Sequence, residues 1–398
     1  MHPEFQQLMS QATRLTRSGN LAAATAAIQA ALMGVQPTAA SAAPRYDEAD
    51  VIDVEAREVP ASSPKAADSA RNASASSSQS ASSAAAAAPS PARDEDAAPT
   101  SQPTHRAPGE SSATKGDFFT AGSFRNSAGQ RVYKLYVPPG VNGQARPLVV
   151  MLHGCTQDAD DFAAGTAMND AAQKQGFYVL YPVQPRETNP QKCWNWFKHN
   201  HQQAGKGEPS ILADMTRHVI AEYGIDTRRV YVAGLSAGGA MAAILADTYP
   251  QLYAAAGVHS GLAAGAAKDL PSALSAMKGI GVRPGAASST PVPTIVFHGD
   301  RDNTVHPANA GAVVAASAGT DARVQSQRVS GANQGRDSTK RVYTDAQGKV
   351  VAEYWEVHGA GHAWAGGSPK GSYTDLSGPD ATREMLRFFF EHPLAVKQ

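Results

Sequence analysis

Beyond residue 116, short runs of apolar residues alternate with stretches in which apolar positions recur at helical spacing. One such run, Leu148–Leu152, contains no polar residue. Strands that are apolar along their whole length are buried on both faces, which is typical of a parallel sheet covered by helices. The pattern therefore predicts an α/β domain with a mostly parallel sheet over residues 116–394.

The individual elements follow from the same two periodicities. We predict strands at the runs rich in β-branched and aromatic residues, namely 132–137, 148–152, 178–181, 230–233, 255–258, 294–297 and 351–357. Helices are predicted where apolar residues recur with a period near 3.6, over 211–223, 237–247 and 379–391.

Residues 1–35 show a separate helical pattern, in which apolar positions at helical spacing flank a turn at Ser18-Gly19-Asn20. We predict a helical hairpin, similar to the second half of a tetratricopeptide-type repeat, with no further copy after it. Because one hairpin cannot bury its own apolar face, we expect it to dock on the main domain, to pair with another chain, or to contact a protein or polymer granule through residues 1–33. A weakly ordered appendage is the alternative.

Residues 36–115 consist largely of alanine, serine and proline, and the stretch 81–90 contains only these three types. Such a segment buries too little apolar surface to offset the entropy lost on ordering. We therefore predict a disordered linker between the hairpin and the α/β domain.

Charge and hydropathy exclude two classes of partner. The 35 basic residues are balanced by 35 acidic ones, so there is no electrostatic case for binding nucleic acid. No run approaches the roughly 18 consecutive apolar residues of a membrane helix, and we predict no membrane span.

The N-terminus and the cysteines bear on the cellular compartment. The first residues lack the compact charged start of a secretory signal, although the apolar stretch 21–33 followed by Ala40-Ser41-Ala42 imitates a late hydrophobic region and a cleavage site. Two cysteines, Cys155 and Cys193, are too few for a disulfide framework but sufficient for one bridge.

Residues Gly234-Leu235-Ser236-Ala237-Gly238 lie between a predicted strand and a predicted helix. A serine in such a turn adopts strained backbone angles, and the flanking glycines avoid clashes with neighbouring backbone. The turn presents the hydroxyl at the edge of the sheet. Ser236 is therefore a candidate nucleophile.

A serine nucleophile needs an acid that orients its base, and in α/β hydrolases the acid follows the serine in the chain. The predicted strand 294–297 runs into a loop with two aspartates, Asp300 and Asp302. We prefer Asp302, because the loop has cleared the strand there and Val305 can anchor it. We expect Asp300 to cap the turn or to pair with Arg301.

The base should come later still. The last predicted strand, 351–357, ends in a glycine-rich loop that contains His358 and His362. His362 lies far enough beyond the strand to reach the nucleophile, so we predict it as the base and His358 as a structural residue.

The oxyanion of an acyl-transfer reaction needs two hydrogen-bond donors. One is expected from the Ala237 amide, at the start of the helix after the nucleophile. The second is expected from the Cys155 amide, since Gly154 lets the loop after strand 148–152 turn toward the site. We expect His153 to brace this loop.

The second cysteine begins a segment rich in aromatic residues, Cys193-Trp194-Asn195-Trp196-Phe197. Packing alone is one interpretation. A bridge to Cys155 would hold this segment against the oxyanion loop, where Trp194 and Trp196 would wall a substrate cleft.

Five motifs in this order resemble those of the polyhydroxybutyrate (PHB) depolymerase family of esterases, which includes feruloyl and acetylxylan esterases. The resemblance covers about residues 118–392 and is carried by Leu152–Gln157, Cys193–Trp196, Gly234–Gly239, His298–Asp302 and Gly361–Trp364. It implies an α/β-hydrolase fold and an extracellular enzyme.

The resemblance also implies roles for individual residues. Ser236, Asp302 and His362 would form the catalytic triad, Cys155 and Ala237 would form the oxyanion hole, and Cys155 and Cys193 would form a disulfide. Neither metal nor organic cofactor is needed for two-step hydrolysis through an acyl-serine.

The expected substrate is PHB or its oligomers, with feruloyl or acetylxylan esters as the alternative. No recognisable polymer-adsorbing domain follows the last predicted helix, so we expect soluble oligomers, small esters or an intracellular store rather than crystalline polymer. A cytoplasmic location is thus the alternative to an extracellular one. A serine peptidase and a non-catalytic scaffold are the rival functions.

Overall fold

The computed structural model describes residues 118–140, 143–282, 290–319, 321–331 and 334–395. The hairpin predicted over residues 1–35 and the linker predicted over 36–115 lie outside these ranges, so both stay predictions. Within the described ranges, no helix combines the length and the apolarity that crossing a membrane requires.

A ten-stranded sheet forms the centre of the described domain, in the order β1-β2-β4-β3-β5-β6-β7-β10-β9-β8. Its strands are β1 (Phe119–Asn126), β2 (Gly129–Tyr136), β3 (Leu148–Leu152), β4 (Tyr178–Pro182), β5 (Val230–Leu235), β6 (Ala255–His259), β7 (Thr294–Gly299), β8 (Arg323–Val329), β9 (Ser338–Thr344) and β10 (Val350–Val357). A separate two-stranded sheet pairs β11 (Trp364–Ala365) with β12 (Thr374–Asp375).

The six central strands of the sheet, in the spatial order β4-β3-β5-β6-β7-β10, pair in parallel. This confirms the predicted mostly parallel sheet. Antiparallel strands extend it at both ends. Of these outer strands, β2 overlaps the predicted strand 132–137, whereas β1, β8 and β9 were not predicted. β8 consists almost entirely of exposed positions, so it lacks the apolar run that marks a buried strand.

Helices pack on both faces of the sheet. They are α1 (Ala159–Thr166), α2 (Met168–Gln175), α3 (Gly207–Tyr223), α4 (Ala237–Thr248), α5 (Leu270–Met277), α6 (Ala308–Ala318) and α7 (Ala381–Glu391), with a short 3-10 helix at His199–His201. The three predicted helices correspond to α3, α4 and α7. The other α-helices are short or rich in small residues, and their sequences show no clear apolar stripe.

The sheet divides the core into two layers. Alternate residues of β3 serve opposite faces: Leu148, Val150 and Leu152 pack with residues of α3 and α4, whereas Val149 and Met151 pack with residues of α1, α2 and α7. This burial of both faces is the reason for the unbroken apolar run in the sequence.

Because β3, β5, β7 and β10 are parallel members of one sheet, their carboxyl ends meet at the same edge. The loops that follow these strands contain the residues predicted to carry the chemistry.

Candidate active site

Ser236 occupies the turn between β5 and α4, with φ 58° and ψ −119°. Positive φ is costly for a residue with a side chain and persists only where the surroundings hold it. Here the Ser236 amide donates to the His259 carbonyl (2.9 Å), and the Ser236 carbonyl accepts from the Ala240 amide (2.9 Å). The strained turn is therefore held from both sides, as a nucleophile elbow requires.

The glycines of the elbow are required by close backbone approach. A Cβ on Gly238 would overlap the carbonyl oxygens of Leu152 and His153, and a Cβ on Gly234 would overlap the backbone of Gly238. The turn thus fits directly against the end of β3, which agrees with the steric role predicted for these glycines.

The loop after β7 presents Asp302, whose side chain is fully buried. Its Oδ1 accepts hydrogen bonds from the amides of Thr304 and Val305, each at 2.9 Å. Its Oδ2 lies 2.7 Å from Nδ1 of His362. The structure therefore brings together the predicted acid and the predicted base.

Burial works to raise the pKa of the Asp302 carboxyl, but hydrogen bonds from His298, His362 and the Val305 amide outweigh it. Together they hold the pKa well below its ordinary value, because each stabilises the charged form. Asp302 is therefore a carboxylate at neutral pH.

The second aspartate and the second histidine of these loops pair with each other. His358 Nδ1 lies 3.1 Å from Asp300 Oδ2, and Asp300 Oδ1 accepts from the Gly359 amide at 2.7 Å. The expectation that Asp300 caps its turn or pairs with Arg301 is therefore corrected: its partners lie on the loop that carries His362. This pair ties the acid loop to the base loop.

The loop after β3 passes directly beside the nucleophile, since a Cβ built on Gly154 would lie 3.6 Å from the Ser236 Cβ. The Gly154 amide donates to Gln157 Oε1 at 2.9 Å, which closes the loop on itself. Within the described ranges, neither the Cys155 amide nor the Ala237 amide donates a hydrogen bond. Both predicted oxyanion donors thus remain available to a ligand.

His153 is buried beneath this loop and fixes the peptide that carries the Cys155 amide. Its Nε2 accepts from the Gln184 amide (3.1 Å), so Nδ1 carries the proton and donates to the Gly154 carbonyl (2.8 Å). In a trans peptide the N–H points opposite to the C=O. The hydrogen bond to Gly154 therefore sets the direction of the Cys155 N–H. Burial lowers the pKa of His153 to about 4.

Cys155 and Cys193 form a disulfide, which fastens the aromatic segment to the oxyanion loop. Trp194 is fully buried and its Nε1 donates to the His153 carbonyl at 3.1 Å, while Trp196 is 5% exposed. The expectation that these two indoles wall the substrate cleft is therefore corrected. Trp194 supports the oxyanion loop through this hydrogen bond, and both indoles leave little surface for substrate.

A buried carboxylate that sequence reasoning missed anchors this support. Glu208 accepts hydrogen bonds from Arg131 (3.1 Å), from the Asn195 amide (2.7 Å) and from the Gln184 side chain. Burial works to raise the pKa of Glu208, but hydrogen bonds from His201, Gln184 and Asn195 outweigh it and lower the pKa. These partners are distant in sequence, so no local motif marks them.

Two more histidines lie at the ends of buried strands beside Asp302. His298 Nε2 lies 2.7 Å from the Val305 carbonyl and 3.4 Å from Asp302 Oδ2. His259 stacks on Trp364, and burial lowers its pKa well below the ordinary value. So many potential ligands raise the question of a metal ion, but in the described part of the chain no group of these residue types is arranged to hold one.

The fold and this geometry define the class of an α/β hydrolase with a serine elbow. Residues 131–340, more than half of the chain, match the family model described as esterase PHB depolymerase. The chain belongs to this family.

Individual relatives match shorter portions. Poly(3-hydroxyalkanoate) depolymerase C of Paucimonas lemoignei is 35% identical over 239 residues, which cover 57% of this chain and 57% of that protein. The probable acetylxylan esterase A of Aspergillus fumigatus is 37% identical over 146 residues, covering 35% of this chain and 37% of that protein. The chain thus spans little more than half the length of the first relative and less of the second.

Among solved structures, an acetyl xylan esterase from Aspergillus awamori superposes with a TM-score of 0.51 at 21% identity. The match covers 66% of this chain and 94% of that one. At this identity the likeness concerns the fold alone, and it agrees with the α/β-hydrolase architecture.

Replacing His153 by asparagine should make the free energy of unfolding decrease less as the pH falls below neutrality. The unfolded chain binds a proton at the ordinary histidine pKa of 6.5, whereas the folded chain binds it only near about 4. Stability is therefore lost as the pH falls through this window. We expect the wild type to lose about 3 kcal/mol more unfolding free energy than His153→Asn, at about 1.4 kcal/mol per pKa unit.

Urea denaturation at pH 6.5 and pH 4 measures this difference. His259 is present in both proteins, so its own contribution cancels. Equal losses in the two proteins would contradict a buried, uncharged His153.

Proposed function

We propose that this protein is a carboxylic ester hydrolase that works through an acyl-serine intermediate. The observation that carries the proposal is the 2.7 Å contact between His362 Nδ1 and Asp302 Oδ2, at the same sheet edge as Ser236 on its elbow. A carboxylate partner keeps the proton on Nδ1 and leaves the Nε2 lone pair as the base.

In the first step, His362 takes the Ser236 proton while Oγ attacks the ester carbonyl carbon. The carbonyl oxygen becomes an oxyanion that accepts hydrogen bonds from the Cys155 and Ala237 amides. Collapse of this intermediate expels the alcohol, which receives its proton from His362. Water, activated by the same histidine, then attacks the acyl-serine and releases the acid.

The oxyanion donors are fixed before the substrate arrives. His153 and the disulfide hold the peptide of Cys155, and the start of α4 holds Ala237, where the helix dipole favours negative charge. Loss of one such donor typically raises the barrier by about 2.7 to 4 kcal/mol. The supporting residues therefore matter to rate as well as to stability.

Ser236→Ala should lower kcat for p-nitrophenyl butyrate by a factor on the order of 10⁴ or more, because the nucleophile is lost. Ser326→Ala, an exposed serine on β8, is the matched control and should retain wild-type turnover. A fluorophosphonate probe should label the wild type and the control but not Ser236→Ala. Near-wild-type turnover by Ser236→Ala would contradict the mechanism, and the absence of labelling would favour a non-catalytic scaffold.

For the substrate, we propose PHB or its oligomers. Support comes from family membership and from the 35% identity over 239 residues to a poly(3-hydroxyalkanoate) depolymerase. The 37% identity over 146 residues to a probable acetylxylan esterase favours acetylated xylan as the second candidate.

A substrate panel distinguishes these candidates. The kcat/KM for the methyl ester of the 3-hydroxybutyrate trimer should exceed that for acetylated xylo-oligosaccharides and methyl ferulate by about tenfold or more, equivalent to about 1.4 kcal/mol in the transition state. Ser236→Ala controls for background hydrolysis. A higher kcat/KM for acetylated xylan would replace the first candidate by the second.

For the compartment, we propose an extracellular location. The disulfide between Cys155 and Cys193 suits an oxidising environment.

Cells that produce the protein can be fractionated, treated with an alkylating reagent, and analysed by mass spectrometry with and without reductant. In protein from the medium, we expect a disulfide to join the peptides that contain Cys155 and Cys193 until reductant is added. Alkylated, unbridged cysteines found only inside the cells would favour the cytoplasm.

A further inference from the structure

Tyr373 has an unusual position for a large aromatic residue. It lies just before β12 with φ 52°, in the left-handed region, and 46% of its surface is exposed. A bulky residue with positive φ is a genuine outlier, and such outliers concentrate at functional sites. Strain alone assigns no role, so the neighbours of the ring have to be considered.

The two ends of Tyr373 contact the two halves of the proposed machinery. Its carbonyl accepts from the Trp364 amide at 2.7 Å, two residues beyond His362. Its hydroxyl lies 3.2 Å from Thr156 Oγ1, one residue beyond Cys155. Tyr373 therefore links the base loop, through its carbonyl, to the oxyanion loop, through its hydroxyl.

The segment around Tyr373 is pinned in place. The Ser372 amide donates to Asp161 at 2.8 Å, and Asp161 also accepts from Gln157 at 2.8 Å. Gln157 is the same residue that closes the oxyanion loop through the Gly154 amide. A Cβ on Gly371 would overlap the backbone of α1. The ring is thus positioned by the structure itself, without a ligand.

The hydroxyl of Tyr373 is already used within the protein. The single proton of the Thr156 hydroxyl goes to the Cys155 carbonyl at 2.6 Å. Tyr373 is therefore the donor in its contact with Thr156. What remains for a substrate is the face of the ring, a rigid apolar surface that loses little entropy on binding.

We propose that Tyr373 is a specificity-determining residue, whose ring forms one wall of a subsite for the aliphatic unit next to the scissile ester. The ligand class is an oligomeric 3-hydroxyalkanoate, which continues beyond the reacting ester, whereas an acetyl ester of a sugar offers no such aliphatic unit. This inference rests on the proposed function, because it takes Ser236 as the reacting centre.

Binding to the full-length Ser236→Ala protein tests the subsite without turnover. Isothermal titration with the methyl ester of the 3-hydroxybutyrate trimer gives the dissociation constant. Adding Tyr373→Gly should raise the dissociation constant by about tenfold, equivalent to about 1.4 kcal/mol, because the apolar contact between the ring and the ligand is lost. Glycine adopts positive φ without strain, so this variant keeps the loop conformation.

Two further variants separate the ring from the loop. Tyr373→Phe should retain the binding of the Ser236→Ala protein, because the ring face is kept. Leu376→Ala, just after β12 and 57% exposed, is the matched control and should leave binding unchanged. Melting curves confirm that each variant is folded.

An unchanged dissociation constant in Tyr373→Gly would overturn the proposal, and so would equal weakening in Leu376→Ala or no binding of the trimer by Ser236→Ala. Failure of the proposed function has a different signature. It would appear as absence of ester turnover by the wild type, with the binding difference between Tyr373 variants intact.

Discussion

The candidate active site depends on one steric constraint, the contact between the elbow and the end of β3. Gly238 packs on the Leu152 carbonyl so closely that no Cβ fits between them. This approach brings the start of α4 and the loop after β3 to the same point, with Ser236 between them. A side chain at position 238 would separate the two amides proposed to bind the oxyanion, whatever its chemistry.

Two buried carboxylates hold the rest of the site around this contact. Asp302 faces His362, and Glu208 holds the segment that the disulfide joins to the oxyanion loop. A buried charge is costly unless hydrogen bonds satisfy it, and each of these carboxylates accepts several. The Asp300–His358 pair adds a link between the acid and base loops. The site is therefore organised by polar contacts within a largely apolar core.

Sequence reasoning could predict the location of a residue, though not its role, where the position along the chain determines which strand the residue follows. Ser236, Asp302 and His362 each follow an apolar strand, and parallel strands end at one edge of the sheet. Sequence reasoning failed where the direction of a side chain determines its role. Trp194 is an example, because its sequence position alone cannot show whether the indole is buried or lines a cleft. Sequence reasoning had no access to pairings such as that of Tyr373 with Thr156, which are 217 residues apart.

The structure of a covalent adduct would test the central claim most directly. After reaction with a fluorophosphonate, a crystal structure should show phosphorus bonded to Ser236 Oγ. One phosphoryl oxygen should lie about 2.7 to 3.1 Å from the amide nitrogens of both Cys155 and Ala237. An adduct on another residue, or a phosphoryl oxygen turned away from both amides, would contradict the account.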